Sequence, residues 1–448
     1  MRRDPSPALL TDLYELTMAA ALFAEGKAEV PAAFSLFART LPPRRGYLVA
    51  AGLDDAMDYL EGLRFTGEDL AALARLRLGP ASGRFDPAFL DWLGEIRFTG
   101  VVRAVPEGRL VFAGEPLLEV EGPLGVTQLA ETFLLNQVSV QTTLATKAAR
   151  CRHAAGGRAL VDFALRRAHG TDAGMKVARC SAIAGFAATS NVAAAVRYGL
   201  AASGTMAHSY VLAHDSEDDA FARFAELSPG EIILLVDTYD SATGIERAIA
   251  CGGQALRGIR LDSGDLDGLA RLARRRLDDA GLTHTLVLVS GGLDEHTIAG
   301  LVAAGAPIDG FGVGTSLGVS EDAPALETVY KLVQVDGRAV AKRSPGKATL
   351  PGAKQVWRTG GFGGDVLGLA GEAGPPGSHP LLEVVPPTRP GPADQVAAAR
   401  ARFAADWAEL PDSYKDLVNP ANYPVLLSAG LERLKAVHHP TEEGGPPA

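Results

Sequence analysis

Apolar residues recur at helical spacing between Thr11 and Glu25, at Leu13, Leu16, Ala20 and Phe23, and predict an N-terminal helix capped by Thr11 or Asp12. Tyr14 and Glu15 fall in its first turn. The pattern changes over residues 98–122, where short apolar runs are separated by Pro-Glu-Gly and Gly-Glu-Pro turns and read as strands. With the helix-rich stretch 50–95 before them, they predict a small α+β domain, followed by a helix over about 126–155.

Beyond that helix the rhythm is different. Short β-branched runs end in polar or Gly residues, and each is followed by a helical segment. They lie at 159–167, 200–208, 231–240, 256–265, 284–292 and 307–315, with 327–335 as a seventh. Near-continuous apolar strands alternating with helices imply a parallel sheet covered on its outside, and their repetition favours a β/α barrel over an open sheet. Six or seven strands fall short of the eight of a closed barrel, so an irregular or incomplete one is expected.

After Lys354 the chain turns rich in Gly and Pro, which reads as an exposed connection, and helices near 394–409 and 425–437 close it. The expected class is therefore α/β. The expected division is an N-terminal α+β domain (1–155), a β/α barrel carrying the active site (156–345), and a Gly/Pro-rich connection with a C-terminal helical extension packing back on the N-terminal domain (346–448).

Composition narrows the functional classes. The 448 residues are 47% hydrophobic and 21% charged, which excludes disorder or coiled coil as a description of the whole. Forty-three Lys and Arg against 53 Asp and Glu leave a net charge of -10, opposite to the footprint of a protein that holds long polyanions, so no nucleic-acid partner is expected. Cys151, Cys180 and Cys251 are an odd number at wide spacing, which suggests neither a disulfide framework nor a zinc site and points to a reducing compartment. No stretch has the ~18 apolar residues of a membrane span, so no membrane partner is expected and a soluble, cytoplasmic protein is.

In a β/α barrel the loops after the strands build the active site. Here the strand ends carry Asp162, Arg166, Arg167 and His169, then Thr205, His208 and Ser209, then Asp237, Thr238 and Asp240, then Arg260, Asp262, Ser263 and Asp265. His208 and Asp237 end successive runs, so the carboxylate is placed to fix the imidazole's tautomer. Such a histidine serves as general base, metal ligand or phosphate-accepting nucleophile, although a lone barrel histidine is more often packed or solvated. Phe163, Arg166 and Arg260 suit a flat anionic ring, because guanidinium forks match a carboxylate; Arg167 reads as structural, paired with an acidic neighbour. Asp262 and Asp265 suit a sugar diol or Mg²⁺, against the plainer reading that Asp262 or Ser263 caps a helix. Ser290-Gly291-Gly292 and Gly312-Val313-Gly314-Thr315 each close a strand and open a helix, the arrangement of a phosphate cradle, while also being convenient βα turns in any barrel.

Ordered motifs then carry a resemblance. TDLYELTM (11–18), FARTLP (37–42), GYLVAAGL (46–53), ATKAAR (145–150), RRAHGTDA (166–173), TSN (189–191), GTMAHS (204–209), LVDTYD (235–240), RLDSGDL (260–266), FGVGT (311–315), YKL (330–332) and NYPVLLS (422–428) resemble nicotinate phosphoribosyltransferases. The resemblance implies a type II phosphoribosyltransferase: an irregular α/β barrel with an N-terminal sandwich-like domain, a homodimer. It implies the conversion of nicotinate, phosphoribosyl diphosphate, ATP and water to nicotinate mononucleotide, diphosphate, ADP and phosphate, with Mg²⁺ as cofactor and ATP as co-substrate. It also implies that His208 is phosphorylated by ATP, which tightens donor binding, and that Asp237 holds it.

By the same resemblance Phe163 stacks on one face of the pyridine ring and Tyr14 reaches the other from the second subunit. Arg166, Thr205 and Arg260 lie around substrate, Asp262 on the ribose, and Ser190 and Asn191 at the ring's carboxylate edge. Ser290, Gly291, Gly292, Gly312, Gly314 and Thr315 take phosphates. Gly292 stands where relatives often carry an acidic or amide residue, a contact that Asp294 is expected to replace. The alternatives are a nicotinamide phosphoribosyltransferase, disfavoured because TSN offers no acid to an amide N–H; a quinolinate phosphoribosyltransferase, which needs extra cations and no phosphohistidine; and an inactive nucleotide-binding relative.

Overall fold

The computed structural model describes residues 6–78, 83–227, 231–344 and 346–439. These form two compact units, one made of the chain up to Thr142 with Ala325–Arg389 and the chain from Ala405 onward, the other of Thr143–Pro324 with Pro390–Ala404.

The first unit is built on a six-stranded antiparallel sheet. Its order is Arg338–Ala339, Thr328–Val335, Pro31–Ala38, Pro116–Pro123, Val101–Ala104, Glu383–Val384. Pro31–Ala38 is central and mostly buried, as a sequence apolar at every position but Ser35 requires. Its Phe34 stacks on Tyr330 of the neighbouring strand, the ring centroids 4.7 Å apart. Helices Leu13–Ala24, Leu53–Gly62, Gly67–Arg75 and Pro87–Glu95 add apolar faces to the same core. Asp12 stands at the N-cap of the first, and the long helix expected over 126–155 is two, Leu124–Leu129 and Glu131–Ala154.

Two expectations are corrected here. The run at 327–335 is not a barrel strand: it pairs antiparallel with Pro31–Ala38. Lys331 and Gln334 leave it without the two apolar faces that a barrel strand buries, and Lys331 instead lies 3.6 Å from Glu131. Nor is the Gly/Pro-rich segment an exposed connection. Lys354–Thr359, Asp365–Leu369, Ser378–Pro380 and Val425–Leu427 form a second, four-stranded sheet. Its glycines make room for Trp357: a Cβ at Gly374 would lie 2.1 Å from the indole. Beneath it the buried Arg358 pairs with Asp365 at 2.6 Å, and Tyr423 donates to the same carboxylate at 2.9 Å. The chain therefore divides differently from 1–155, 156–345 and 346–448, because strands on both sides of residue 346 complete the sheets of the first unit.

The second unit holds six parallel strands in the order Ala188–Thr189, Ala159–Asp162, Gly310–Val313, Leu286–Val289, Leu256–Leu261, Ile232–Leu235. Helices Thr171–Ile183, Val192–Tyr198, Ser241–Gly252, Leu266–Asp279 and Glu295–Ala303 connect them, so the sheet is a curled, incomplete β/α barrel. Five of the expected runs are strands. The sixth, 200–208, forms no strand; among the described residues its backbone pairs with the sheet through one parallel bridge between Ala202 and Thr189, since the small Ala, Ser and Gly lack the bulk of a buried strand. Among the described residues no helix is long and apolar enough to cross a membrane.

Candidate active site

At the C-terminal ends of these strands the structure gathers Phe163, Thr205, Asp237, Arg260, Asp262 and Ser290. Asp162 holds the turn that carries Phe163: its carboxylate accepts from the backbone of Ala164 at 2.8 Å and from Thr189 Oγ1 at 2.7 Å. Burial pushes that carboxyl up, against both hydrogen bonds. The Arg260 guanidinium lies 5.8 Å from the Phe163 ring centroid and donates to Thr205 Oγ1 at 2.8 Å. Among the described residues its buried Nε has no hydrogen-bond partner. Burial pushes Arg260 down from the ordinary guanidinium range, Asp262 and Asp237 pull it back, and Arg166 adds to the fall. Arg166 itself is exposed in the single 3₁₀ turn Leu165–Arg167, near enough to Arg260 for the two charges to repel. Arg167 is also exposed and has no acidic partner among the described residues.

The carboxylates are tied to one another's strand ends. Asp237 Oδ2 accepts from the backbone N–H of Asp262 at 2.9 Å and from Ser263 Oγ at 2.8 Å, while Oδ1 is buried and has no hydrogen-bond partner among the described residues. Ser290 Oγ donates a short hydrogen bond to Asp262 Oδ1. His208 does not end a strand; it opens the short helix His208–Leu212. Its Nδ1 meets Thr238 Oγ1 at 3.1 Å, and among the described residues no hydrogen bond joins it to Asp237. Through Oδ2 the Asp237 carboxylate is tied to the next strand end.

Several polar strand-end residues serve the fold. Asn191 caps the helix Val192–Tyr198, accepting from Ala194 N at 3.1 Å and donating to Gly174 O at 3.1 Å, so its amide is spent on structure and not on a ligand's edge. Ser190 is half-buried and keeps its hydroxyl free of protein partners among the described residues. Asp265, not Asp262 or Ser263, caps the helix Leu266–Asp279. Asp294 caps Glu295–Ala303 by accepting from Thr297 N at 2.7 Å, which removes it as a substitute for a side chain at Gly292.

The two glycine loops separate in kind. Gly291 has φ +84° and its added Cβ would lie 1.8 Å from the Asp262 carbonyl; Gly292 has φ +62° with open space above it. Neither donates its backbone N–H to the protein among the described residues, leaving two donors at an exposed turn. At Gly312 a Cβ would fall 2.4 Å from the Phe163 ring, so this glycine makes room for the aromatic and not for a phosphate. Gly314 and Thr315 precede and open the four-residue helix Thr315–Gly318, with Thr315 exposed. Tyr14 belongs to the other unit, 47% exposed in the first turn of its helix. Sequence reasoning placed Thr238 among polar strand-end residues without a role and Ser263 only as a possible helix cap; the signal was their adjacency to Asp237 and Asp262.

Comparison with known proteins bears directly on this arrangement. Residues 9–139 match the model of the nicotinate phosphoribosyltransferase N-terminal domain, and residues 158–355 that of the nicotinate phosphoribosyltransferase family. A nicotinate phosphoribosyltransferase of Mycobacterium tuberculosis is 48% identical, with 98% of this chain and 96% of that protein covered.

The chain belongs to the nicotinate phosphoribosyltransferase family. The family member of Bacillus subtilis is 45% identical over 80% of this chain and 74% of its own length. The crystal structure of human nicotinic acid phosphoribosyltransferase superposes with a TM-score of 0.80 at 31% identity, covering 96% of this chain and 99% of that one. The incomplete barrel and the two-part first unit are thus the architecture of a nicotinate phosphoribosyltransferase relative of known structure.

Proposed function

We propose that this chain transfers the phosphoribosyl group of phosphoribosyl diphosphate to nicotinate, giving nicotinate mononucleotide and diphosphate, and couples the transfer to ATP hydrolysis through a phosphohistidine at His208. The observation that carries the reading is the Phe163–Arg260–Thr205 assembly at the strand ends of a chain 48% identical to a nicotinate phosphoribosyltransferase. A pyridine carboxylate is flat and anionic. Phe163 supplies a stacking face, and Arg260 with Arg166 supplies the charge; a desolvated guanidinium whose Nε lacks a partner rewards a carboxylate over a neutral amide.

C–N bond formation at the anomeric carbon passes through an oxocarbenium-like state while diphosphate leaves, so the protein need only position the ring and stabilise separating charges. Asp262, steadied by Ser290, lies where it can meet ribose hydroxyls, and the free N–H groups of Gly291 and Gly292 suit a phosphate. Mg²⁺ typically takes one or two carboxylates plus substrate phosphates, and the unpartnered Oδ1 of Asp237 with Asp262 fits that donor set, although no cluster of three or more metal-ligating side chains exists among the described residues. Bound there it would neutralise phosphate charge.

With Nδ1 engaged, Nε2 of His208 is the atom free to take the γ-phosphoryl group of ATP. The reading makes the enzyme a homodimer in which Tyr14 meets the ring from the second subunit; the exposed Leu10, Leu13, Tyr14 and Met18 are the apolar surface a second copy would cover. It places the enzyme in the cytoplasm with its nucleotide substrates. Incubation with γ-labelled ATP tests the coupling: acid-labile label on the wild type and none on His208→Ala is the expected result, and equal labelling removes His208 from the mechanism.

A further inference from the structure

We infer that Lys147 is a positioning residue for phosphoribosyl diphosphate: its buried ammonium fastens the segments behind both glycine turns, Glu295 behind Gly291-Gly292 and Asp322 behind Gly314-Thr315, and so fixes the backbone donors offered to a phosphate. This rests on the functional reading above. The first turn has little stiffness of its own, because Gly291 and Gly292 are consecutive, with φ +84° and +62°, and their N–H groups bond nothing in the protein among the described residues. Its geometry is therefore set by its flanks. Upstream, the Ser290 N–H donates to Leu261 O at 2.8 Å. Downstream, Glu295 is the first residue of the helix Glu295–Ala303, and its buried carboxylate accepts from Lys147 Nζ through Oε2 and from Arg150 Nε through Oε1, the latter at 2.8 Å.

The same ammonium donates to Asp322 Oδ1 at 2.7 Å, four residues past the short helix Thr315–Gly318. Ser316, inside that helix, donates through Oγ to Leu293 O at 3.1 Å, one residue beyond Gly292. The two turns are thus cross-linked once directly and once through Lys147. Lys147 and Arg150 stand three positions apart on the helix Glu131–Ala154, so one face of a single rigid element presents both cations. Burial pushes the Glu295 carboxyl up, but Lys147 and Arg150 outweigh it and hold the group below the ordinary carboxylate range, so it is ionised. Two cations then face two carboxylates, and none of their charge is spare for a phosphate. A buried ion pair adds little net stability over apolar packing; what this one supplies is a fixed direction for the chain behind each turn.

The test uses the full chain with Lys147→Met, which keeps the stem and removes the ammonium, and Asp322→Asn, which loosens only the second turn; Asp322 is 31% exposed, and its change leaves both pairs of Glu295 in place. The KM for phosphoribosyl diphosphate, the KM for nicotinate and kcat are read separately, each substrate varied at saturation of the others. Lys147→Met should raise the KM for phosphoribosyl diphosphate about tenfold and Asp322→Asn about threefold, because binding must then order turns that the intact chain holds ready, with the KM for nicotinate and kcat within about twofold of wild type. Lys147→Arg, which keeps the charge and the reach, should recover most of the loss. A merely structural cluster would lower the urea midpoint without separating the two KM values. An unchanged KM for phosphoribosyl diphosphate in the folded variants overturns the inference, as does an equal rise in both KM values. If Lys147→Met does not fold, Asp322→Asn decides alone. If the wild type makes no nicotinate mononucleotide from phosphoribosyl diphosphate, the functional reading falls first and this inference with it.

Discussion

Gly312→Ala discriminates between the two meanings of a glycine at this barrel mouth. The added methyl would sit 2.4 Å and 2.5 Å from two edge carbons of Phe163. Carbon atoms rest about 3.5 Å apart, so the ring must retreat by about 1 Å, away from its place 5.8 Å from the Arg260 guanidinium. Overpacking of this kind costs about 1–3 kcal/mol of stability, and loss of a partly desolvated cation–π contact about 0.5–2 kcal/mol of whatever binding depends on it. The second figure translates to a roughly two- to thirtyfold rise in the KM for nicotinate. Steady-state kinetics with each substrate varied at saturation of the other reads the effect, with Gly314→Ala as control. A Cβ there would meet Phe163 O at 3.5 Å, an ordinary contact. If Gly312→Ala raises the KM for phosphoribosyl diphosphate and leaves that for nicotinate unchanged, the loop is a phosphate cradle and the packing argument is wrong.

Two further outcomes follow from the same coordinates. Burial raises the Glu15 carboxyl from its usual 4.5 to about 7, partly opposed by its hydrogen bonds to Gln128 and Tyr14. Between those values the folded chain holds a proton the unfolded chain has lost, so stability should fall as pH rises from about 4.5 to about 7, and Glu15→Gln should flatten that slope in urea titrations. Asn191→Ala removes a helix cap and should cost about 1 kcal/mol in the same titrations while leaving the KM for nicotinate unchanged; a rise in KM without loss of stability would return Asn191 to the ligand.

What the sequence makes legible here depends on how many faces of an element are buried. The runs at 231–240, 284–292 and 307–315 carry near-continuous apolar strands and are recognisable as parallel strands without any partner being known. The run at 327–335 has a similar length and β-branched content, and only Lys331 and Gln334 mark it as different; its partner, Pro31–Ala38, lies far upstream where no local pattern points to it. Gly/Pro composition misleads at 360–393 because Trp357 and the Arg358–Asp365 pair, not the glycines, decide that the segment is packed. At the site, strand ends single out side chains that the structure brings together, but which of the adjacent Asp237 and Thr238 meets the imidazole turns on where the chain bends after Leu235. Gly312 and Gly291 read alike as letters; one faces an aromatic ring and the other a carbonyl.

The pairing of Pro31–Ala38 with Thr328–Val335 has a consequence for synthesis. The Pro116–Pro123 side of the early strand is satisfied soon after translation begins, but its other edge waits for residues made roughly 300 positions later, about fifteen to sixty seconds at ribosomal speed. Within that interval all six parallel strands from Ala159 to Val313 emerge as one uninterrupted stretch and can collapse by themselves. The nascent polypeptide therefore has every strand of its middle sheet in hand before the sheet of its beginning can close, and throughout that wait it carries an unpaired hydrophobic border that other chains can seize.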